Sequence, residues 1–296
     1  MQVALYSRGF ITEDIANIRL LLDELQRAEI TAMIYEPFFR TLEQYIPFEH
    51  PPALFSCAED LPGKIDFLMS LGGDGTLLDT VCYVRDTNIP VVGINFGRLG
   101  FLASIGKDEI HSLVQALLDR TYVVDQRSLI HLDANVPLFG DIPYALNEFT
   151  IHKKDTSAMV KIHTYLNGEF LNTYWADGLI VSTPTGSTGY SLSCGGPIVF
   201  PDAGSFVITP VAPHNLNVRP IIVPNESVIS FEVEGRSDQF LCTLDSRMET
   251  IDSTVLLAIK KEKFKLSLLR LDESNFLHTL RNKLLWGIDA RNQIKI

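Results

Sequence analysis

The segment from Ile65 to Thr76 constrains this chain more than any other. Ile65-Asp66-Phe67-Leu68-Met69-Ser70-Leu71 is a mostly apolar run that ends abruptly at Gly72-Gly73-Asp74-Gly75-Thr76. A continuous apolar run marks a strand buried on both faces, as in a parallel sheet. Glycines directly after it allow a tight turn and a close backbone approach to a bound group. The spacing predicts a helix running on from Thr76. The preceding and following segments repeat this rhythm. Val3 to Tyr6, Ile30 to Tyr35 and Pro90 to Ile94 predict further strands. Ile15, Ile18, Leu21, Leu22 and Leu25, and then Ile110, Leu113, Val114, Leu117 and Leu118, recur at helical spacing. A loop carrying Pro47, Pro51, Pro52 and Pro62 interrupts the series. Alternating strands and helices imply a parallel sheet covered by helices.

Past about residue 127 the period drops to the two residues of a half-buried strand. Val160, Ile162, Thr164 and Leu166 alternate with polar neighbours and lead into Asn167-Gly168, a strong hairpin signal. Ile229, Phe231 and Val233 alternate likewise, as do Phe240, Cys242 and Leu244. Val255 to Ile259 and Phe264 to Leu269 predict two more strands. Phe276, Leu277, Leu280 and Leu284 return to helical spacing. The expected fold is an α/β N-terminal domain with a parallel sheet plus an all-β C-terminal domain, with the C-terminal helix packing back on the first. The boundaries are residues 1–126 plus 270–296 for the α/β domain and 127–269 for the β domain.

The 296 residues are 46% hydrophobic and 21% charged, a globular composition. Lys plus Arg number 25 against 36 Asp plus Glu, a net charge of −11. So acidic a chain is no general binder of nucleic acid or acidic membrane, though one basic pocket can still take an anion. Cys57, Cys82, Cys194 and Cys242 are scattered and form no CxxC pair, which argues for reduced thiols rather than a zinc site or a disulfide framework. No apolar stretch approaches the roughly 18 residues that a membrane span needs, and the start lacks the pattern of a signal peptide. The expected location is the cytoplasm.

Five motifs carry chemistry. In the first, Gly72, Gly73, Gly75 and Thr76 offer N–H groups at a strand-to-helix turn, which suits phosphate. The loop is neither GxxxxGK[ST] nor GxGxxG, and no lysine follows it. Asp74 beside phosphate would be repelled unless it meets a cation or takes a proton. The alternative is a tight turn whose Asp caps the next helix. The second motif, Gly93-Ile94-Asn95-Phe96-Gly97-Arg98-Leu99-Gly100-Phe101-Leu102, lies at a strand exit, where open α/β sheets bind ligands. Phe101 suits an adenine or nicotinamide ring and Arg98 a phosphate; a Gly-rich loop over core aromatics is the alternative. Third, Asn147-Glu148 pairs an amide with a carboxylate, as a vicinal diol or an adenine edge requires, or else closes a solvated strand. Fourth, Asp177 to Pro197 contains Thr183-Pro184-Thr185-Gly186-Ser187-Thr188-Gly189-Tyr190-Ser191-Leu192-Ser193, too rich in hydroxyls and glycines for a bland loop. Fifth, Thr209-Pro210-Val211-Ala212-Pro213-His214-Asn215 precedes Arg219-Pro220. His214 reads better as a loop-holding histidine than as a catalytic one, and Asp245 ranks below Asp74 as a catalytic candidate.

GGDGT resembles the signature shared by NAD kinases, diacylglycerol and sphingosine kinases and, in related form, phosphofructokinases. The GRLGFL, Asn147-Glu148, TPTGSTGYSLS and Pro213-His214 segments resemble those of bacterial NAD kinases in order and type, from about residue 66 to about residue 247. The chain departs from the usual pattern with Gly189 and Cys194, each in place of alanine. The resemblance implies transfer of the terminal phosphoryl group of ATP, or another donor, to the 2′-hydroxyl of the adenosine ribose of NAD. It implies Asp74 as the base, and Asp74, Gly75, Phe101, Asn147, Glu148, Asp177, Thr188, Gly189, Tyr190, Ser193 and Ala212 around NAD, in a cleft between the domains. It implies Gly72, Gly73, Gly75, Thr76 and Arg98 around the donor, with Mg²⁺ bridging its oxygens. It also implies a homodimer or homotetramer. Trp175 stands where some bacterial relatives carry a basic residue, and is read either as a ring stacked on substrate or as core. A lipid kinase would lack the second and fourth motifs, and a non-catalytic NAD(P) sensor would have lost Asp74 or the glycines.

Overall fold

A computed structural model of the protein describes residues 1–61, 63, 65–154, 159–236, 238–271 and 276–286. Two compact units emerge, Met1–Asp125 with Ser267–Ile296, and Gln126–Leu266. Pro62 and residues 287–296 of the expected closing segment lie outside the described residues.

The first unit begins β1 (Gln2–Tyr6), α1 (Ile15–Arg27), β2 (Thr31–Tyr35), α2 (Glu36–Leu42), β3 (Ala53–Phe55), β4 (Phe67–Leu71), α3 (Asp74–Val84), β5 (Val91–Asn95), β6 (Ile105–Gly106) and α4 (Ile110–Asp119). The strand order is β5-β4-β1-β2-β3, parallel at every pairing. Every residue of β4 and β5 is buried, Ser70 and Asn95 included, as their mostly apolar runs lead one to expect. From β1 the chain builds outward to β2 and β3, then returns to the other side of β1 with β4. The ends of β1 and β4 therefore flank the point where the winding reverses, where such sheets bind ligands. Helix α2 and strand β3 carry too little pattern to be read from sequence. Pro37 opens α2, which buries Phe38, Phe39 and Leu42, and β3 spans three residues. Helix α3 starts two residues before the expected Thr76. Gly73 caps it and its carbonyl accepts the N–H groups of Thr76 and Leu77 at 3.0 and 3.2 Å.

The second unit holds most of β7 (Tyr122–Ala134), then β8 (Tyr144–Ala145), β9 (Glu148–Lys153), β10 (Val160–Leu166), β11 (Glu169–Ala176), β12 (Gly178–Ser182), the short helix α5 (Tyr190–Ser193), β13 (Ser205–Val211), β14 (Ile221–Pro224), β15 (Ile229–Gly235), β16 (Phe240–Leu244), β17 (Arg247–Ile251) and the start of β18 (Leu257–Leu271). One antiparallel sheet runs β14-β13-β12-β9-β16-β17, and β11-β10-β15-β18 follow one another in the second. Their inner faces share one core, in which the Phe149 and Phe231 rings stack with centroids 5.7 Å apart. Asn167 (φ 53°) and Gly168 (φ 84°) both take the left-handed conformation that a two-residue hairpin with the strands' own twist needs.

β18 is one strand where the sequence predicts two. Lys260-Lys261-Glu262-Lys263 breaks the apolar period but not the strand, because partners meet these charges: Lys260 pairs with Asp133, Lys261 with Glu226, and Glu262 with His131. The last residues of β18 belong to the first unit, where Leu268 pairs with Val91. The closing helix α6 (Phe276–Leu284) belongs there too and buries Leu280.

Gly93 in β5 shows how tightly the first unit is packed. A Cβ there would lie 2.6 Å from Ala103 Cα and 2.7 Å from Leu77 Cδ1. A backbone atom cannot swing away as a side-chain tip can. Gly93→Ala should therefore destabilise by about 1–3 kcal/mol, as overpacked cores do. Denaturant unfolding measures this, and a change under about 0.5 kcal/mol would place it with ordinary surface substitutions instead.

Candidate functional site

In the first unit the site grows from the ends of β1, β4 and β5. The Ser7 hydroxyl donates to the Leu71 carbonyl at 2.7 Å and so ties the end of β1 to the end of β4. Gly72 sits at φ 148°, and a Cβ on it would come within 2.5 Å of Thr76 Oγ1. This position therefore needs glycine both for its backbone angle and for space. Asn95 folds the loop after β5, accepting the Gly97 N–H at 2.9 Å and donating to the Arg98 carbonyl at 2.8 Å. A small cavity of about 180 Å³ opens here, lined among others by Ser7, Gly9, Gly72, Gly73, Asn95 and Gly97.

Asp74, in the first turn of α3, reaches the loop after β5. Its Oδ2 accepts the Phe101 N–H at 2.8 Å, and its Oδ1 accepts those of Leu102 and Ala103 at 3.0 and 2.9 Å. Gly100 lies so close that a Cβ would overlap Asp74 Oδ1 at 1.7 Å. Asp74, Phe101 and the glycine loop are thus brought together. Arg98 is not at the glycine-loop cavity. It is exposed and lines a separate cavity of about 480 Å³ with Gly100, Glu109, His278, Asn282 and Lys283.

In the second unit a similar device positions Asn147 and Glu148. Asp245 turns the chain between β16 and β17 at φ 51°. Its buried carboxylate accepts the N–H groups of Leu146, Asn147 and Glu148 at 2.8, 2.8 and 3.1 Å. Thr183 braces the same stretch, its hydroxyl donating to the Leu146 carbonyl at 2.6 Å and its N–H to the Asn147 carbonyl at 2.9 Å. The turn through Gly186 lies directly on Asn147, whose carbonyl oxygen would stand 2.1 Å from a Cβ there. Gly189 follows against the side chains: a Cβ on it would sit 3.2 Å from Glu148 Oε2 and 3.6 Å from Asn147 Nδ2. Asn147, Glu148, Gly189 and Tyr190 therefore form one group. Asn147 Oδ1 and Glu148 Oε2 are buried and have no hydrogen-bond partner among the described residues. Each such orphan costs about 1–3 kcal/mol in an empty site, a cost that a bound polar group removes.

Around this pair, Tyr190 is exposed and stacks on His152 with centroids 5.6 Å apart. Asp177 pairs with Lys153 at 2.6 Å. Thr188 is half-buried, its hydroxyl donating to the Thr185 carbonyl at 3.2 Å, while Ser193 is exposed at the end of α5. Ala212 is exposed with φ 45°. The His214 N–H holds the Trp175 carbonyl at 2.8 Å, but its side chain is exposed. Trp175 is not core: it is 42% exposed, with the Lys161 amine 4.9 Å from its ring centroid.

Sequence reasoning missed three features. The positioning role of Asp245 was hidden, because an Asp between two alternating runs signals a turn and says nothing about which amides it captures. His152 beneath Tyr190 reads as one more strand residue. Ser7-Arg8-Gly9 at the end of β1 goes unread, although a serine, a cation and a glycine directly after a buried strand were the available signal.

Burial pushes the Glu148 carboxyl up to about 8, helped by the negative charge of Asp245 and opposed by the Tyr190 N–H. Burial also raises Asp245, against the pull of its three amides. Because Glu148 sits above its unfolded value of 4.5, the native chain keeps a proton that the unfolded chain has released. Stability from this group is complete below about pH 4.5 and is lost as pH rises through about 8. In the ligand-free protein, Tm should fall across that window, and Glu148→Gln should flatten the fall and melt higher at its alkaline end. Parallel melting profiles for the two proteins would show that Glu148 is not a buried acid.

Residues 55–122 match the ATP-NAD kinase N-terminal domain and residues 146–270 the ATP-NAD kinase C-terminal domain. The NAD kinase of Cytophaga hutchinsonii is 51% identical over 293 residues, covering 99% of this chain and 100% of that one. The NAD kinase of Flavobacterium psychrophilum is 44% identical over 294 residues, at 99% and 100% coverage. Among solved structures, yeast NADH kinase complexed with NADH superposes with TM-score 0.87 at 22% identity, covering 99% of this chain and 90% of that one. An NAD kinase from Archaeoglobus fulgidus in complex with ATP gives 0.72 at 22% identity, with 96% and 99% covered. The chain belongs to the NAD kinase family.

Proposed function

We propose that this protein phosphorylates NAD, transferring the terminal phosphoryl group of ATP to the 2′-hydroxyl of the adenosine ribose to form NADP. The observation that carries the reading is the buried pair Asn147 Oδ1 and Glu148 Oε2, each without a partner among the described residues, beside the glycine turn at Gly189. An amide and a neutral carboxyl side by side supply both donors and acceptors, which is what ribose hydroxyls or an adenine edge require. In the second unit Tyr190, Thr188, Ser193, Asp177 and Ala212 are the residues assigned to the rest of the dinucleotide. The yeast relative holds NADH and the Archaeoglobus relative ATP, which supports the same two reactants here.

The Gly72–Thr76 turn takes the donor's phosphates through its N–H groups and the start of α3. Among the described residues no cluster of three or more His, Cys, Asp or Glu side chains is placed to hold a metal ion. Mg²⁺ commonly keeps phosphate and water as most of its ligands. A divalent ion held by the donor's own phosphates would supply neutralisation of phosphate charge at this loop. Phosphoryl transfer asks the protein mainly for in-line placement and charge stabilisation. Asp74 adds a proton acceptor. A carboxylate offers about four lone-pair positions, and three amides occupy three of them. The position left on Oδ2 is the one that takes the ribose proton.

Large apolar side chains stand exposed on all three edge strands named for the second unit: Phe170 on β11, Ile222 on β14 and Met248 on β17. A homodimer or homotetramer is proposed from the family resemblance, and these edge strands are surfaces on which such contacts could form. Among the described residues no helix is long and apolar enough to cross a membrane, and the proposed site of action is the cytoplasm.

The test is NADP formation from NAD, ATP and Mg²⁺ by purified protein, read with an NADP-specific dehydrogenase, with Asp74→Asn alongside. General-base help is worth about 10² to 10⁴-fold, so kcat should fall by at least about 10²; Tm should fall as well, because an amide nitrogen cannot accept the backbone N–H bonds that the carboxylate holds. Near-normal turnover in the variant would take the base role from Asp74. No NADP from the wild type with any donor would overturn the kinase reading.

A further inference from the structure

The glycine loop has no lysine following it, and its own acidic residue, Asp74, is held by three amides. A polyphosphate bound there needs a protein cation from elsewhere in the unit. β1 supplies one. Arg8 follows β1 directly, at the reversal point of the sheet and beside the end of β4. Its Nη1 would be 3.4 Å from a Cβ on Gly75, so the guanidinium lies alongside the first turn of α3.

This placement is built. Asp79, one helical turn beyond Gly75 on α3, receives Arg8 Nε on one carboxylate oxygen and Nη2 on the other. Such a fork fixes the plane of the guanidinium. Tyr6 steadies the same carboxylate, donating its hydroxyl to Asp79 Oδ2 at 3.0 Å. The Tyr6 ring is itself set between Tyr35 and Tyr83, with centroids at 4.8 and 5.0 Å. Burial and the Asp79 carboxylate both push the Tyr6 phenol upward, so it stays a donor. The Arg8 side chain nevertheless remains 49% exposed. An exposed ion pair on its own contributes little to stability. A rigid cation held beside a phosphate loop has a use.

We infer that Arg8 binds the donor's phosphates at the Gly72–Thr76 loop, with Asp79 and Tyr6 as the positioning residues that aim its guanidinium. The inference rests on the donor role of that loop, and the experiment separates the two.

Steady-state KM values for ATP and NAD are measured in wild type, Arg8→Gln, Arg8→Lys, Asp79→Asn and the Arg8→Gln/Asp79→Asn double variant, with Tm as the check on folding. Gly73→Ala reports on the loop, since its methyl would meet nothing nearer than Asn95 Nδ2 at 3.9 Å and would crowd only the loop's mouth. Loss of a charge-assisted contact should raise the KM for ATP about tenfold or more in Arg8→Gln, with the KM for NAD held within about twofold. Arg8→Lys should recover part of the loss, because it keeps the charge and not the fork. The double variant should be no worse than Arg8→Gln alone, because Asp79 acts through Arg8. An unchanged KM for ATP in Arg8→Gln, with a raised one in Gly73→Ala, would overturn the role of Arg8 and keep that of the loop. Unchanged values in both would remove the donor reading of the loop and the role of Arg8 with it. Equal rises in both KM values would show Arg8 to be a structural residue only.

Discussion

A carboxylate that gathers three consecutive backbone N–H groups organises each unit. Asp74 holds Phe101, Leu102 and Ala103; Asp245 holds Leu146, Asn147 and Glu148. Three successive amides pointing the same way cannot all be paired by a strand ladder, which uses alternate residues on each side. A single Asp satisfies them and locks the segment's shape. The side chains on that segment are then displayed in a fixed direction. In the second unit this puts Asn147 and Glu148 under the glycine turn, and in the first it holds Phe101 against the helix that carries Asp74.

The glycines serve these clamps. Gly100 leaves room for the Asp74 carboxylate, Gly186 lies against the Asn147 carbonyl, and Gly72 provides the backbone angle at the end of β4. Gly189 leaves more space beside Glu148 than a methyl would. The site therefore combines polar atoms that lack partners with walls that cannot move toward them. That is the state expected of a pocket kept ready for a polar ligand.

Much of the architecture was legible because burial leaves a period. β4 and β5 are buried on both faces and read as mostly apolar runs, β10 and β15 alternate, and the hairpin at Asn167-Gly168 follows from the rare backbone angles those residues tolerate. Where long-range pairs override local pattern, the reading failed. The charged stretch of β18 looked like a gap because its partners Asp133 and Glu226 are far away in sequence. The short elements α2 and β3 are too brief to show any period. Of the candidate residues, Asn147 and Glu148 were recognisable as a chemical pair. Arg98 had a phosphate-binding side chain but faces a cavity formed with α6, a relation no local spacing records.

By itself the sequence determined the longer strands and helices with a clear period, the two classes of unit, and the chemical kinds of group available at each turn. These depend on local propensity, periodicity and residue type, which neighbours in the chain set. Tertiary structure alone decided which amides Asp74 and Asp245 capture, that Glu148 is buried beside a second carboxylate, and that Arg8 lies next to Gly75. Each of these joins segments tens of residues apart, up to nearly a hundred for Asp245. Such contacts arise from the register of strands and the winding of the sheet, and only folding brings the partners within the few ångströms over which hydrogen bonds and buried charges act.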